Sequence, residues 1–536
     1  MFEAANRLGD MRGDLIGSMC AVTGKTVVEG DVEVSEGIDY ARFYTATMKK
    51  FAAQHDVDIT SKGTILVISP WNFPCAIPIG GIVAGLAGGN TVILKPATVA
   101  APVAWLFAKA FWDAGVPKEA LQVIITDREA LKELTTAPAI KHIILTGGTD
   151  TAQSIARTNP STPLSAETGG KNAIILTASG DRDHAIMNIV ASAFGNAGQK
   201  CSACSLLLVE RSVYEDKNFQ DKLKDAATSM KVGSVWEAGN VVGPMITNRN
   251  DKLLQALTLE PGESWLVPPK FIDEKQYILA PTVKWGVKPD SYSFRTELFG
   301  PMLSVACIDN LQQGIELVNS LDYGLTSGLQ SLDENEQKLW KDSILAGNLY
   351  INRGITGAIV NRQPFGGMKL SAFGGGVKAG GPNYCACLVK ITDKPESNTD
   401  YKQSYPHAYE EEFAHARDIN KLYGEQNAFR YLPLKNMVLR LFPGDSNEEA
   451  EMIALAAKLC HTPLTISFDP NDDRTTALSS TGCTLKKETL DEFLKTMRTY
   501  ERIRTCGADI PMEMYEEAAR RNKYIATAKP VKNGRV

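Results

Sequence analysis

The sequence contains little histidine and has no metal-ligand spacing. Only 6 of its 536 residues are histidine, and none stands at the distance from a cysteine that zinc sites use. Cys201 and Cys204 form a C-x-x-C pair without a second C-x-x-C or H-x-x-H to complete it, and Cys385 and Cys387 are too close together. We therefore expect no metal.

A disulfide framework and a secretory leader are also missing. The ten cysteines are scattered along the chain, which is typical of reduced and mostly buried thiols. Those that lie in apolar contexts are Cys20, Cys75, Cys307 and Cys460. The first residues, MFEAANRLGDMRGDL, lack the apolar core of a signal peptide. These features predict a cytoplasmic protein.

An excess of positive charge is absent as well. The formal net charge is −5, so we expect no general attraction to nucleic acid or to anionic membranes. No charged residue lies between Lys62 and Lys95, a length that could cross a membrane. Three prolines interrupt any single helix in it, namely Pro70, Pro74 and Pro78. The stretch predicts instead a strand, a helix and a second strand, at residues 64–68, 78–87 and 91–94, and no integral membrane segment.

Strand and helix patterns alternate from residue 63 to about residue 390, after a helical start at 1–55. Repeated βα units predict an α/β protein with parallel sheets covered by helices. Residues 394–436 are polar and predict a linker with one helix at 410–423, and NYCACLV (383–389) predicts an edge strand. A last βαβ-like unit follows, with Ser446 or Asn447 capping its helix.

Three local patterns suggest chemistry, but none is decisive alone. Cys201, in GNAGQKCSACS, follows glycines that would let a ligand approach, although a structural role is the stronger local interpretation. Glu167, in SAETGGKN, is either a positioned base or an ordinary loop carboxylate. ILTGGTDTA (144–152) predicts a strand, a glycine turn and a helix that aims N–H groups at phosphate, without being G-x-G-x-x-G. Lys95 has two interpretations: a cation that contacts a ribose or phosphate, or a solvated residue at the end of a strand.

Seven segments, taken together and in order over about residues 1–390, resemble the aldehyde dehydrogenase superfamily. They are SPWNFP (69–74), LKPA (94–97), LTGGT (145–149), AETGGKN (166–172), GQKCSA (198–203), TELFGP (296–301) and PFGGMKLSA (364–372). The resemblance implies an aldehyde dehydrogenase fold, with a Rossmann-like NAD-binding domain, an α/β catalytic domain and a β oligomerisation arm. It also implies NAD as the cofactor.

The resemblance assigns roles by position. Cys201 matches the nucleophile that forms a thiohemiacetal and then a thioester, Glu167 matches the base that activates water, and Asn72 matches the oxyanion donor. Glu297 and Phe299 match residues at the nicotinamide ribose and ring. The other cofactor positions that it implies are Ser69, Pro70, Trp71, Lys95, Thr146, Gly147, Gly148 and Thr149.

Within the superfamily, GQKCSACS, NRGITGAIVNRQPFGG (352–367) and KAGGPNY (378–384) are similar to L-glutamate γ-semialdehyde (1-pyrroline-5-carboxylate) dehydrogenases. By position, the substrate residues are Ser202, Gly357, Ala358 and Phe365. Backbone N–H groups and a hydroxyl make a compact anion site, which suits a substrate α-carboxylate. The chain from residue 424 onward resembles the C-terminal region of bifunctional proline utilisation proteins, in which proline dehydrogenase is fused to this enzyme.

The chain departs from the family pattern at several points. A longer segment usually precedes PWNFP, so we expect either a fragment or a misassigned start. Thr98 stands where many members carry a glutamate that binds the adenine ribose, which leaves NADP use open. Gly148 and Ala152 replace a frequent serine and glycine.

Five regions are expected: an incomplete NAD-binding domain (1–166), a catalytic domain (167–365), a return to the NAD-binding domain and oligomerisation arm (366–395), a linker (396–436) and a C-terminal α/β module without an active site (437–536). The predicted function is NAD-dependent oxidation of L-glutamate γ-semialdehyde to L-glutamate in proline degradation. Another acidic semialdehyde, such as succinic semialdehyde, and a non-catalytic scaffolding fragment stay open as alternatives. We expect a homo-oligomer that is fused to proline dehydrogenase or associates with it.

Overall fold

A computed structural model of the chain describes residues 1–247, 250–275, 277–507 and 509–535. Three α/β units follow one another in these residues, and each has a sheet with helices on both faces. The helices in chain order are α1 (Phe2–Asp10), α2 (Arg12–Thr23), α3 (Val27–Ala52), α4 (Ala76–Ala87), α5 (Ala101–Asp113), α6 (Arg128–Thr136), α7 (Thr149–Thr158), α8 (Arg182–Phe194), α9 (Arg211–Tyr214), α10 (Lys217–Thr228), α11 (Asp251–Ala256), α12 (Tyr292–Arg295), α13 (Leu311–Asn319), α14 (Glu334–Ser343), α15 (Tyr401–Ala408), α16 (Asn447–Leu459), α17 (Thr475–Leu478), α18 (Leu490–Thr496) and α19 (Met512–Arg520).

The first sheet has six strands. Five of them are parallel, and the sixth, which comes last in the chain, pairs antiparallel at one edge. In spatial order they are β18 (Ala372–Phe373), β6 (Leu164–Glu167), β5 (Ile140–Thr146), β2 (Thr64–Ser69), β3 (Thr91–Pro96) and β4 (Leu121–Val123). Helices α1, α3, α4 and α5 cover one face, and α6 and α7 cover the other. The chain order reverses between β2 and β5, which creates a crevice at the carboxyl ends of these two strands.

The second sheet has seven strands, and all pairs are parallel except the one at the far edge. In spatial order they are β16 (Asn348–Ile351), β15 (Thr326–Gln330), β7 (Asn172–Leu176), β8 (Cys204–Glu210), β13 (Met302–Ile308), β12 (Thr282–Trp285) and β9 (Ser264–Val267). Helices α8 and α10 pack on one face, and α13 and α14 pack on the other.

The third sheet is parallel throughout its five strands. In spatial order they are β22 (Thr484–Lys487), β21 (Leu464–Phe468), β20 (Met437–Arg440), β23 (Arg502–Arg504) and β24 (Ile525–Ala526). Three antiparallel pairs of short strands complete the described structure: β1 (Val57–Ser61) with β19 (Val389–Asp393), β10 (Phe271–Asp273) with β11 (Ile278–Leu279), and β14 (Tyr323–Gly324) with β17 (Met368–Lys369).

The charge-free stretch folds as the sequence predicts, with β2, α4 and β3 in that order. Its apolar residues are buried because the sheet is covered on both faces. Ser446 is the residue that caps α16, also as predicted. Every helix in the described part of the chain is too short or too polar for a membrane span.

Two secondary-structure predictions are wrong. Over 410–423 there is no continuous helix, because the Asp418 carboxylate accepts from the backbone N–H groups of Asn420, Lys421 and Asn427 and so competes with helical hydrogen bonding. NYCACLV is not a strand: Cys385–Leu388 forms a 3₁₀ turn, and β19 starts only at Val389.

The cysteine prediction also needs a correction. All ten cysteines are free thiols, but Cys460 is exposed and Cys307 is only half-buried. Cys460 directly follows the end of α16, where the chain returns to the surface. The domain boundaries stay a prediction, and the sheets themselves span residues 64–167 with 372–373, 172–351 and 437–526.

Candidate active site

The crevice of the first sheet collects three of the predicted cofactor residues. Ser69 ends β2, Lys95 lies next to the end of β3, and Thr146 ends β5. The hydroxyl of Ser69 is buried and has no hydrogen-bond partner among the described residues. Burial lowers the pKa of Lys95. These groups are placed where open parallel sheets bind nucleotides.

In the glycine turn after β5, the N–H of Gly147 donates to the backbone oxygen of Glu167 at 3.1 Å, and α7 begins at the second residue after it. Gly147 and Gly148 precede α7, and no side chain caps this helix. A Cβ on Gly148 would meet nothing nearer than the hydroxyl of Thr151, at 4.0 Å. Uncapped N–H groups at a helix start attract phosphate. Together with the unpaired Ser69 hydroxyl, this open cradle fits the adenosine and pyrophosphate half of a dinucleotide.

The turn after β2 brings Pro70, Trp71 and Asn72 against the second sheet. Asn72 is buried, and its side-chain nitrogen donates to the backbone oxygen of Gln199 at 3.0 Å. The ring of Trp71 meets the ring of Phe299 edge-on, with centroids 5.8 Å apart. Phe299 has a φ of 52°, which is uncommon for a bulky residue and marks a constrained loop.

Cys201 lies in a turn between α8 and β8, and close backbone contacts fix this turn. Gly198 has a φ of 69°, and a Cβ there would overlap the carbonyl oxygen of Gly300. Asn172, the first residue of β7, donates to the backbone oxygens of Cys201 at 2.7 Å and Ala203 at 3.0 Å. The turn that carries the cysteine is therefore held by the loop of Gly300 and by Asn172 of β7, while the side chain of Cys201 stays half-buried.

The carboxyl groups beside Cys201 shape its electrostatics. Burial raises the pKa of the Cys201 thiol to about 12, and the nearby charges of Glu297 and Glu167 add to this increase. Burial also raises the pKa of Glu167 to about 8, against the opposing charge of Lys378. Glu297 accepts from the backbone N–H of Gly170 at 2.8 Å. The site therefore holds a neutral thiol beside a base that titrates near neutral pH.

The predicted substrate residues come from two segments, the turn of Cys201 and a later loop. Ser202 is buried directly after the cysteine. Gly357, with a φ of 92°, and Ala358 belong to a loop that docks on α8 through the bond from the N–H of Ile355 to the hydroxyl of Ser192, at 3.0 Å. Helix α8 leads directly to Cys201, so the loop and the cysteine share one support.

Phe365 lies in a second turn, which also contacts Glu167. Its N–H and carbonyl exchange two 2.8 Å hydrogen bonds with Ala379. Two residues further on, the N–H of Gly367 donates to Glu167 at 3.2 Å. The structure thus brings Cys201, Asn72 and Glu167 together and connects the predicted substrate residues to them through α8 and this turn.

Several residues of the site carry no role in the sequence analysis. Asn172 stands at the start of a buried strand, a position that could have drawn attention to a polar residue. Lys378, whose charge faces Glu167, comes from a distant segment. Lys200 forms a 2.9 Å ion pair with Glu29 on α3, and no local pattern announces a pair so far apart in the chain.

A profile of the Aldehyde dehydrogenase family matches residues 1–392, and the chain belongs to this family. Among curated relatives, the 1-pyrroline-5-carboxylate dehydrogenase of Geobacillus sp. (strain WCH70) is 33% identical over 407 residues, which is 72% of this chain and 78% of the relative. The protein of the same name from Bacillus subtilis (strain 168) is 31% identical over 405 residues, again 72% and 78% of the two chains.

Solved structures give the same result and extend it to the C-terminal unit. Proline utilization A (PutA) from Corynebacterium freiburgense is similar over 100% of this chain, with a TM-score of 0.87 and 37% identity. This chain covers 55% of that PutA chain. The 1-pyrroline-5-carboxylate dehydrogenase from Thermus with bound NAD has a TM-score of 0.69 and 32% identity over 73% of this chain and 79% of its own. The chain therefore has the aldehyde dehydrogenase fold, as predicted.

Proposed function

We propose that this chain oxidises L-glutamate γ-semialdehyde, the open form of 1-pyrroline-5-carboxylate, to L-glutamate with NAD. One observation carries the proposal. A cysteine, a carboxylate and a side-chain amide from three separate segments meet at the edge of a crevice that fits a dinucleotide. The names of the relatives select the aldehyde, since both curated relatives described above are 1-pyrroline-5-carboxylate dehydrogenases.

In the first step, the sulfur of Cys201 bonds to the aldehyde carbon. Because the pKa of the thiol is raised to about 12, the proton must leave the sulfur as the bond forms, and water at the half-buried Cys201 side chain can accept it. Asn72 spends one side-chain N–H on Gln199 and keeps a second one for the oxygen that becomes negative. A donor aimed at this oxyanion stabilises the transition state more than the ground state.

In the second half of the reaction, the enzyme-bound carbon is oxidised and released. NAD, when bound, would supply the acceptor for the hydride. The protein is then a thioester at Cys201, and Glu167 removes a proton from the water that attacks it. The water oxygen enters the product carboxylate, and the thiol is regenerated.

The substrate and cofactor positions follow the same proposal. Ser202, Gly357 and Ala358 would bind the α-carboxylate of the substrate, since N–H groups and a hydroxyl form an anion site, and Phe365 would cover its chain. NAD is the proposed cofactor because it is bound in the similar Thermus structure. Thr98 supplies no carboxylate against a 2′-phosphate, so NADP is a comparison worth making.

The C-terminal unit and the partners are part of the proposal. We assign no catalysis to residues 437–536. The match of the whole chain to a PutA protein supports the proposal that it acts together with a proline dehydrogenase, either fused to it or as a separate protein. The antiparallel pair of β1 and β19 is the proposed arm for contacts within a homo-oligomer. Light scattering of the purified chain, alone and with a proline dehydrogenase, measures both.

The test is the absorbance of NADH after NAD and 1-pyrroline-5-carboxylate are added to the purified chain. We expect turnover, and we expect kcat/KM for succinic semialdehyde to be clearly lower. The variant Cys201→Ala should lose turnover and still bind NAD in calorimetry. Absence of NADH formation, or equal turnover by the variant, contradicts the proposal, and a preference for succinic semialdehyde reassigns the substrate.

A further inference from the structure

Lys378 is a half-buried cation without an assigned role, and it lies behind the turn that carries Phe365. Its ammonium group donates to the backbone oxygens of Gly347 at 2.6 Å and Gly366 at 2.7 Å, and to the side-chain oxygen of Asn348 at 3.2 Å. All its described hydrogen-bond acceptors are neutral. No carboxylate among the described residues lies within ion-pair distance of it, although burying a lysine cation normally calls for a partner.

The side chain of Lys378 and the carboxyl group of Glu167 lie on either side of one glycine. Gly366 lies between them: a Cβ on this residue would be 3.1 Å from an oxygen of Glu167 and 3.1 Å from the side chain of Lys378. The next residue, Gly367, donates its N–H to Glu167 at 3.2 Å. One turn of backbone therefore contacts the carboxylate on one side and the ammonium group on the other.

Asn348 is the neutral member of this arrangement. Its side chain donates to the backbone oxygen of Pro364 at 2.9 Å and accepts from the N–H of Gly366 at 3.2 Å. Asn348 and Lys378 thus clamp the same turn, but only Lys378 adds a charge. This difference makes Asn348 a natural control for the effect of the charge.

The other titratable groups that face Glu167 do not replace Lys378. They are Cys201 on the second sheet, Tyr40 on α3 and Tyr384 before β19. Burial raises the pKa of all three groups, so they are neutral at physiological pH. Among the described residues, Lys378 is the source of positive charge that acts on Glu167.

We propose that Lys378 is a positioning residue for thioester hydrolysis: its ammonium group fixes the turn next to Glu167 and favours the ionised form of this carboxyl group, the form that can deprotonate water. The inference rests on the proposed function. It concerns one half of the reaction only, because acylation and hydride removal precede the attack of water. Removing the charge should therefore slow the release of product more than the formation of the thioester.

The experiment is stopped-flow measurement of NADH formation by Lys378→Met between pH 6 and pH 9. We expect a rapid burst of NADH followed by slower steady turnover. The acidic limb of the pH profile of the steady rate should move to higher pH by about 1 unit. This is the lower end of the pKa change that a close opposite charge produces. At pH 7 this shift corresponds to about a tenfold loss of steady turnover.

Two further variants separate charge from packing. Lys378→Arg keeps the charge and should return the acidic limb most of the way to its original pH. Asn348→Ala weakens the clamp without removing the charge, so its acidic limb should stay in place even where its KM rises. Thermal melts identify variants that do not fold, and Lys378→Gln then replaces the methionine variant.

The outcomes are distinct. An unmoved acidic limb in Lys378→Met, or the same displacement in Asn348→Ala, overturns the role of the charge. Loss of the burst together with steady turnover would place Lys378 in acylation and also overturn the inference. Failure of the unmodified protein to form NADH from 1-pyrroline-5-carboxylate would instead overturn the proposed function.

Discussion

The buried ion pair of Lys25 and Glu33 is expected to hold the loop that carries Asn72. Both side chains are 1% exposed and in direct contact. Glu33 also accepts from the N–H groups of Cys75 at 2.7 Å and Ala76 at 3.2 Å, and the ammonium group of Lys25 lies 3.9 Å from the centre of the Phe73 ring. The pair therefore ties α3 to the residues that directly follow Asn72.

Replacing Lys25 by methionine should leave the Glu33 charge buried without its partner. Such a change costs about 3–5 kcal/mol. The neighbouring Glu36 adds little repulsion to this cost, because burial and the charge of Glu33 raise its pKa to about 8, so it is mostly uncharged at pH 7. A displaced Asn72 should also lower kcat/KM, by up to about 100-fold, which is the smaller effect seen when an oxyanion donor is removed.

The double variant Lys25→Met, Glu33→Gln tests the reasoning. Glutamine removes the unpaired charge but keeps an oxygen for the N–H groups of Cys75 and Ala76, so at least half of the lost stability should return. Urea unfolding followed by tryptophan fluorescence measures it: the single variant should lose at least about 1 M in the midpoint of the transition. Lys109→Met, at an exposed pair with Asp113, is the control and should change stability by less than about 1 kcal/mol.

Two results would refute this account. If Lys25→Met unfolds at the same urea concentration as the unmodified protein, the pair does not hold the loop. If the double variant is no more stable than the single one, the cost does not come from an unpaired charge. Unchanged kcat/KM in a destabilised variant would show that the pair supports the fold without positioning Asn72.

Three shorter predictions follow from single groups. Steady turnover should rise with pH up to about 8 and then level off, because the pKa of Glu167 is raised to about 8 and hydrolysis needs the ionised base; a flat profile over this range would contradict it. Gly169→Ala should raise the KM for NAD about 10- to 100-fold, since its Cβ would overlap the Glu297 carboxyl group and a hydrogen bond to a charged group contributes about 1.5–3 kcal/mol; an unchanged KM would remove Glu297 from the cofactor site. Gly17→Ala, on α2 with open space around it, should raise the free energy of unfolding by up to about 1 kcal/mol, as measured by urea, and a loss of stability would be the contrary result.

The alternation of strands and helices was readable in the sequence because it depends on local patterns. Strand β2 is buried on both faces and is a nearly continuous apolar run, and the prolines that follow it limit where α4 can begin. The region after residue 400 was harder to predict. There Asp418 binds nearby backbone N–H groups, and the bridge between Arg417 and Phe429 pairs the segment with a later one, which helical periodicity does not reveal.

The candidate site was predictable only from the order of its motifs. Local residues made Cys201 and Cys204 nearly equivalent, and the structure separates them: Cys204 is 1% exposed within β8, whereas Cys201 is half-buried in the turn before it. Contacts between residues far apart in the chain could not be predicted from the sequence. Lys200 with Glu29, and Lys378 with Glu167, are pairs whose members become neighbours only when the sheets have packed together.

Close backbone contacts at glycines, most of them within these motifs, explain why the order of motifs is so informative. The reacting groups come from two sheets, so their distances depend on how closely the connecting backbone segments approach. A Cβ on Gly198 would overlap the backbone of Gly300, and one on Gly347 would overlap the backbone of Gly366. The first contact joins two motifs that are distant in the chain, and the second joins the end of the second sheet to the PFGG motif. The geometry of Cys201, Asn72 and Glu167 is set by these contacts, and a methyl group at any of them should move a whole segment of the site rather than one side chain.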